Sequence, residues 1–214
     1  MKFLRATLLN LLLILSIPGY APLVDAQEAP AVSEPVKRLV IYQLQTGGAG
    51  SGTASQELVL LYNNASTPLE VTNWCMKYSS STDLSGFQKC LTPPNVQTQL
   101  WIPSNGLISF ATNEYVLANP GFVPDILFSA GIAATGGHIR ILDAASLEVD
   151  RVAWGTGVTP EGTVAPTHAS GKVLSRALVN FEALDTDQNA TDFTSTNVLS
   201  VIVSSLYEEV IPVD

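Results

Sequence analysis

The sequence predicts an all-β fold, a sandwich of two packed and mostly antiparallel sheets, on three observations. Of the 214 residues, 46% are hydrophobic and only 14% charged, which supplies a core and leaves too little charge for a disordered chain. Short runs rich in β-branched and aromatic residues alternate with Gly, Pro, Asn and Asp clusters at the spacing of a sandwich. Helical periodicity is nearly absent.

Taken in order, residues 39–45 (LVIYQLQ) form the first strand, whose period of two places Val40, Tyr42 and Leu44 on one face, and the glycine-rich stretch 47–53 ends it. Residues 57–62 (ELVLLY) are apolar on both faces, so this strand is expected in the centre, covered on both sides. A turn over 63–68 leads to 69–78 (LEVTNWCMKY), where alternation breaks near Trp74 and suggests a bulge. The polar segment 79–85 is a loop that returns through 87–90. Residues 100–102 and 106–111 flank a turn at Pro103, Ser104 and Asn105. Two strands at 138–142 and 147–154 are joined by a turn over 143–146, and 155–171 is a long surface loop. Segments 172–176 and 177–184 precede an acidic cluster. The tail is ambiguous between an edge strand and an amphipathic helix, because Val198, Ile202 and Leu206 also sit four apart. Trp74, Tyr62, Ile141 and Val152 are expected in one core between the sheets.

Residues 1–26 read as a signal peptide: Lys2 and Arg5, an apolar run over 8–17, the breakers Pro18 and Gly19, and small residues Val24 and Ala26 before Gln27. The run is about half of the roughly 20 residues that span a bilayer, so an uncleaved anchor is the weaker alternative. Residues 27–37 form a Pro- and Glu-containing linker, 38–194 the domain and 195–214 the tail. Export sets the meaning of the two cysteines: Cys75 and Cys90 are expected to form a disulfide, since no nearby histidine supplies a catalytic base or completes a metal site. The net charge of −9 becomes −10 once Lys2, Arg5 and Asp25 leave with the signal. An acidic chain without a basic cluster gains nothing from counterion release, so nucleic acid is not an expected partner. No stable membrane span is expected in the mature chain.

Several words in fixed order resemble the lamin-tail domain, an immunoglobulin-like β-sandwich found in nuclear lamins and in bacterial exported proteins. ELVLLYN at 57–63 is similar to the family's strand ending in an aromatic and an asparagine. PLEVTNW at 68–74 is similar to the following strand, which usually ends in Gly-Trp and here has Asn73 in place of the glycine. GHIRIL at 137–142 with Asp143, VDRVAWG at 149–155, LSR at 174–176 and DTDQNATDF at 185–193 resemble the remaining words. The resemblance implies the immunoglobulin-like fold and, as in the bacterial members, a non-enzymatic binding or adhesion module on the cell surface or secreted, with a protein or surface glycan as partner. A fold of this kind does not by itself fix an activity.

The chemistry-bearing residues favour the same class. His138 lies in a strand and His168 in a loop, and no nucleophile elbow accompanies either. The stretch Gly47, Gly48, Gly50 and Gly52 lacks the Gly-Lys-Ser/Thr ending and following helix of a phosphate loop. Glu114, Asp125 and Glu161 are the candidates for a carboxylate pair of a hydrolase, the rival enzymatic reading, while a structural envelope component is the other rival. Trp101, beside Pro103, is the tryptophan best placed for an exposed stacking platform. Asn64 and Asn189 begin N-glycosylation patterns, or serve as unmodified turn residues. No cofactor is expected, apart from calcium at Asp185, Asp187, Asn189 and Asp192. Their hard oxygens alternate as in a calcium loop, but the Gly and Glu of an EF-hand are absent at Ala190 and Thr196. The alternative there is a turn in which Asx side chains bond their own backbone.

Overall fold

In the computed structural model the described residues are 39–81, 86–129, 131–197 and 205–210. The expected signal peptide, its cleavage site and the linker lie outside them. The described chain runs β1 (Leu39–Thr46), β2 (Glu57–Asn63), β3 (Leu69–Glu70), β4 (Cys75–Ser80), β5 (Gly86–Cys90), β6 (Thr98–Ile102), β7 (Leu107–Thr112), α1 (Asn113–Ala118), β8 (Ile126–Phe128), β9 (Gly136–Leu142), β10 (Glu148–Gly155), β11 (Val173–Arg176), β12 (Leu178–Val179), β13 (Glu182–Ala183), α2 (Asn189–Asp192), β14 (Phe193–Thr196) and β15 (Tyr207–Val210). All belong to one compact unit, Val36–Asp214.

Strand β2 sits inside a six-stranded sheet of order β14-β11-β1-β2-β7-β8 because both its faces are apolar. Val59 and Leu61 point into the main core, shared with Met76, Tyr78, Ile139, Ile141, Val152 and Trp154 of a four-stranded sheet, β10-β9-β4-β5. Leu58, Leu60 and Tyr62 point the other way, into a second cluster closed by Tyr115 of α1 and Ala183 of β13. The pairs are antiparallel except β7 with β8. The all-β sandwich expected from the sequence is therefore the observed architecture. The four residues expected in one core divide: Ile141 and Val152 are central, Trp74 packs half-buried against them, and Tyr62 belongs to the outer cluster because it shares the face of Leu58 and Leu60.

Strand β1 departs from simple alternation. Its register to β2 shifts between Ile41 and Gln43, so Val40 and Tyr42 join the outer cluster while Leu44 turns into the main core. Near Trp74 the expected bulge is instead a turn, in which Asn73 has φ of 60°. Glycine and asparagine enter that left-handed region most easily, which accounts for an asparagine at position 73. The turn places Cys75 opposite Cys90 across β4 and β5, and the two are bonded, with Cα atoms 4.0 Å apart. Asp143 shapes the β9–β10 turn by accepting from Ala145 and Leu147 N–H. Part of the tail is an edge strand: β15 pairs with β6 in a three-stranded sheet, β15-β6-β3. Among the described residues, no helix is long and apolar enough to cross a membrane.

Candidate functional site

Where the ladder between β1 and β11 stops at Gln43 and Leu44, the backbone of Ile41 loses strand partners and needs others. Side chains supply them. Asp150 Oδ2 accepts from Ile41 N–H at 2.6 Å, and Arg176 Nε donates to Ile41 C=O at 2.8 Å. The guanidinium of Arg176 then serves the rest of the cluster. Nη2 pairs with Asp150 at 2.8 Å and lies 4.0 Å from Glu161, while Nη1 pairs with Asp192 at 2.9 Å and Asp185 at 3.1 Å and donates to Leu184 C=O. Its opposite surface is covered by the Phe193 ring, 4.5 Å away. Burial opposes the positive charge, but the fields of Asp150, Asp185, Asp192 and Glu161 outweigh it and hold the Arg176 pKa above its ordinary value. One arginine thus joins both sheets of the sandwich, through β11 and β10, to the segment after β13.

This arrangement divides the residues expected to bind calcium. Asp185 and Asp192 are paired with Arg176; Asp192 also accepts from Thr186 N–H and Oγ. Asn189 is fully buried, its Oδ1 accepting from Ala153 N–H and Glu161 N–H and its Nδ2 donating to Arg151 C=O. Asp187 is exposed, and its N–H bonds Asp185 Oδ1. The carboxylates that do gather, with oxygens within 4.8 Å of one another, are Asp150, Glu161 and Asp185. A metal could be held by that set, but the guanidinium of Arg176 already reaches all three carboxylates, at 2.8 Å from Asp150, 4.0 Å from Glu161 and 3.1 Å from Asp185.

The cluster is also the foot of a hairpin within the segment 177–184, which the sequence presents as a single run. Strands β12 and β13 pair with Leu178 opposite Ala183 and Val179 opposite Glu182, leaving a two-residue turn at Asn180 and Phe181. Both turn residues have positive φ, 53° and 66°, the type I′ geometry that suits a tight hairpin. The hairpin is fastened at three levels. Arg176 and the Leu184 N–H to Ala177 C=O bond hold its foot, Asn64 pairs with both N–H and C=O of Ala183, and Tyr62 OH donates to Phe181 C=O at 2.6 Å. Held this way, the tip presents Phe181 at 76% exposure, Val179 at 57% and Leu178 at 45%. The signal available in the sequence was Asn180 between apolar residues; without a glycine after it the turn does not announce itself.

The chain matches no protein-family model and no curated protein.

The remaining sequence candidates lie apart. Glu114 sits in the first turn of α1, Asp125 accepts from the N–H and Oγ of Ser109, and Glu161 belongs to the Arg176 cluster. His138 is fully buried in β9; His168 is buried against Thr46 Oγ1, 2.8 Å from Nε2, and burial lowers its pKa. Asn64 is committed to the hairpin and Asn189 to the interior, so both act as structural amides. Glu57 carries no signal in the sequence beyond its place at the start of an apolar strand. It is 1% exposed, accepts from Ile132 N–H through Oε1, and has its pKa pushed up to about 7 by burial, against the Ile132 hydrogen bond and with help from Glu114.

Proposed function

We propose that this protein is an exported, cell-surface or secreted, non-enzymatic binding module of lamin-tail type that grips a protein partner with the apolar tip of the β12–β13 hairpin. The observation that carries this reading is the exposure of Leu178, Val179 and Phe181 on a hairpin locked at its tip, middle and foot. Exposed apolar groups clustered at one loop end mark contact surfaces, and an aromatic fixed before contact loses little entropy on binding. Placing Phe181 at φ of 66° costs about 1–2 kcal/mol for a residue with a side chain, a strain the fold maintains at its surface. The Cys75–Cys90 bond accords with an oxidising compartment, and the negative charge disfavours nucleic acid.

The test is a photo-activated side chain placed at Val179 or, for comparison, at Leu147, which is also exposed but sits alone in the β9–β10 turn. The expected result is a discrete protein adduct from position 179 and none from 147. Equal labelling from both positions removes the hairpin from the contact.

A further inference from the structure

We propose that the outward face of the three-stranded sheet β15-β6-β3, with the groove beside it, binds an oligosaccharide that carries no anionic groups. This surface is separate from the hairpin tip and goes beyond the reading above. Strand register puts Glu70, Trp101 and Tyr207 side by side across the three strands, and Gln99 beside Glu209 in the next row. Directly opposed residues share one face of a sheet, so this face carries two aromatic rings bordered by two carboxylates and an amide. Trp101 is half-buried and Tyr207 is 42% exposed, which leaves aromatic surface available.

An open groove of about 590 Å³ adjoins the face and is lined by Glu70, Asn73, Asn95, Val96 and Gln99 among others. Its walls are ordered by the chain itself. Glu70 Oε1 accepts from Thr72 N–H, and Asn95 Oδ1 accepts from Gln97 N–H and Thr98 Oγ. The side-chain amides of Asn73 and Gln99 also line the groove, and each offers both a donor and an acceptor to a ligand.

A sugar ring is the ligand that uses both kinds of surface. Its C–H face packs on an aromatic ring, and its edge hydroxyls both donate and accept, which matches carboxylate and amide groups placed beside that ring. Charge settles the class of glycan: Glu70 and Glu209 border the face in a chain of net charge −9, so sulfated and uronate polymers are repelled while neutral and amino sugars are not.

The test is calorimetric titration of the full exported chain with cellohexaose, N-acetylchitohexaose and the glucosamine hexamer, with dextran sulfate as the anionic probe. At least one of the three hexasaccharides is expected to bind with Kd of about 1 mM or tighter, and dextran sulfate not to bind. Trp101→Ala and Tyr207→Ala should each weaken binding at least about tenfold. Because Trp101 lies between two strands, Gln99→Ala provides a gentler variant, expected to weaken binding about threefold with no change in Tm. Phe181→Asp, at the separate hairpin, should leave saccharide binding unchanged. No binding of any hexasaccharide at about 10 mM, binding that survives all three face variants, or preferential binding of dextran sulfate each overturns the proposal.

Discussion

Glu57 and Arg176 are two buried ionisable residues with opposite treatment. Arg176 is surrounded by carboxylates and hydrogen-bond acceptors, and removing it leaves Asp150 and Asp192 buried without their cation. Arg176→Met should therefore cost about 3–5 kcal/mol, measured by denaturant unfolding, with Arg176→Lys recovering only part because a point-like ammonium cannot reach Ile41, Leu184 and three carboxylates at once. The same geometry predicts no rise in Tm when calcium is added to the chelated protein. A rise abolished by Asp187→Ala would restore the calcium reading of Asp185, Asp187, Asn189 and Asp192. Glu57 has one backbone donor, and its carboxyl is neutral up to about pH 7 in the fold but ionises near 4.5 when unfolded. Its folded pKa is the higher one, so its contribution is most favourable below about pH 4.5 and is lost as pH rises through 7, a difference of about 3 kcal/mol. Glu57→Gln should flatten the fall in Tm across that window; an unchanged pH profile in the variant would assign the fall to other groups.

At the scale of elements, the disulfide and the hairpin behave differently. The Cys75–Cys90 bond closes a short loop at one end of the β4–β5 pair, and Cys90→Ser should lower stability by about 2–5 kcal/mol in reducing-agent-free unfolding. Much at this scale was legible in the sequence. Two-sided apolarity placed β2 in the centre, and alternation with Asp143 at the turn gave β9 and β10. What escaped has identifiable causes. The β1 bulge moves Leu44 to the other face, a shift that period-two reading cannot detect because it assumes an unbroken register. The hairpin escaped because Asn180-Phe181 lacks the glycine of the usual turn pair. The Arg176 cluster escaped because Asp150 and Asp192 lie 26 and 16 residues away in the chain and meet the arginine only after the sheets pack.

For the whole molecule, the two apolar clusters explain how surface and stability are connected. The inner one joins the six- and four-stranded sheets, and the outer one supports α1 and the hairpin from below. Export with cleavage before Gln27 is expected to release this unit, and N-terminal sequencing of secreted material should begin at Gln27; intact Met1 in a membrane fraction would indicate an anchor. In the proposed function, Phe181 is kept in a strained backbone conformation for the sake of an outside contact. One substitution separates contact from stability. Phe181→Gly relieves the left-handed strain and creates the favoured Asn-Gly pair while removing an exposed ring that contributes little to the core. The decisive measurement sets Tm beside binding of the labelled chain to the partner cross-linked from Val179, for wild type and Phe181→Gly. The expected result is an equal or higher Tm with binding weakened at least about tenfold. Undiminished binding by the glycine variant would contradict it.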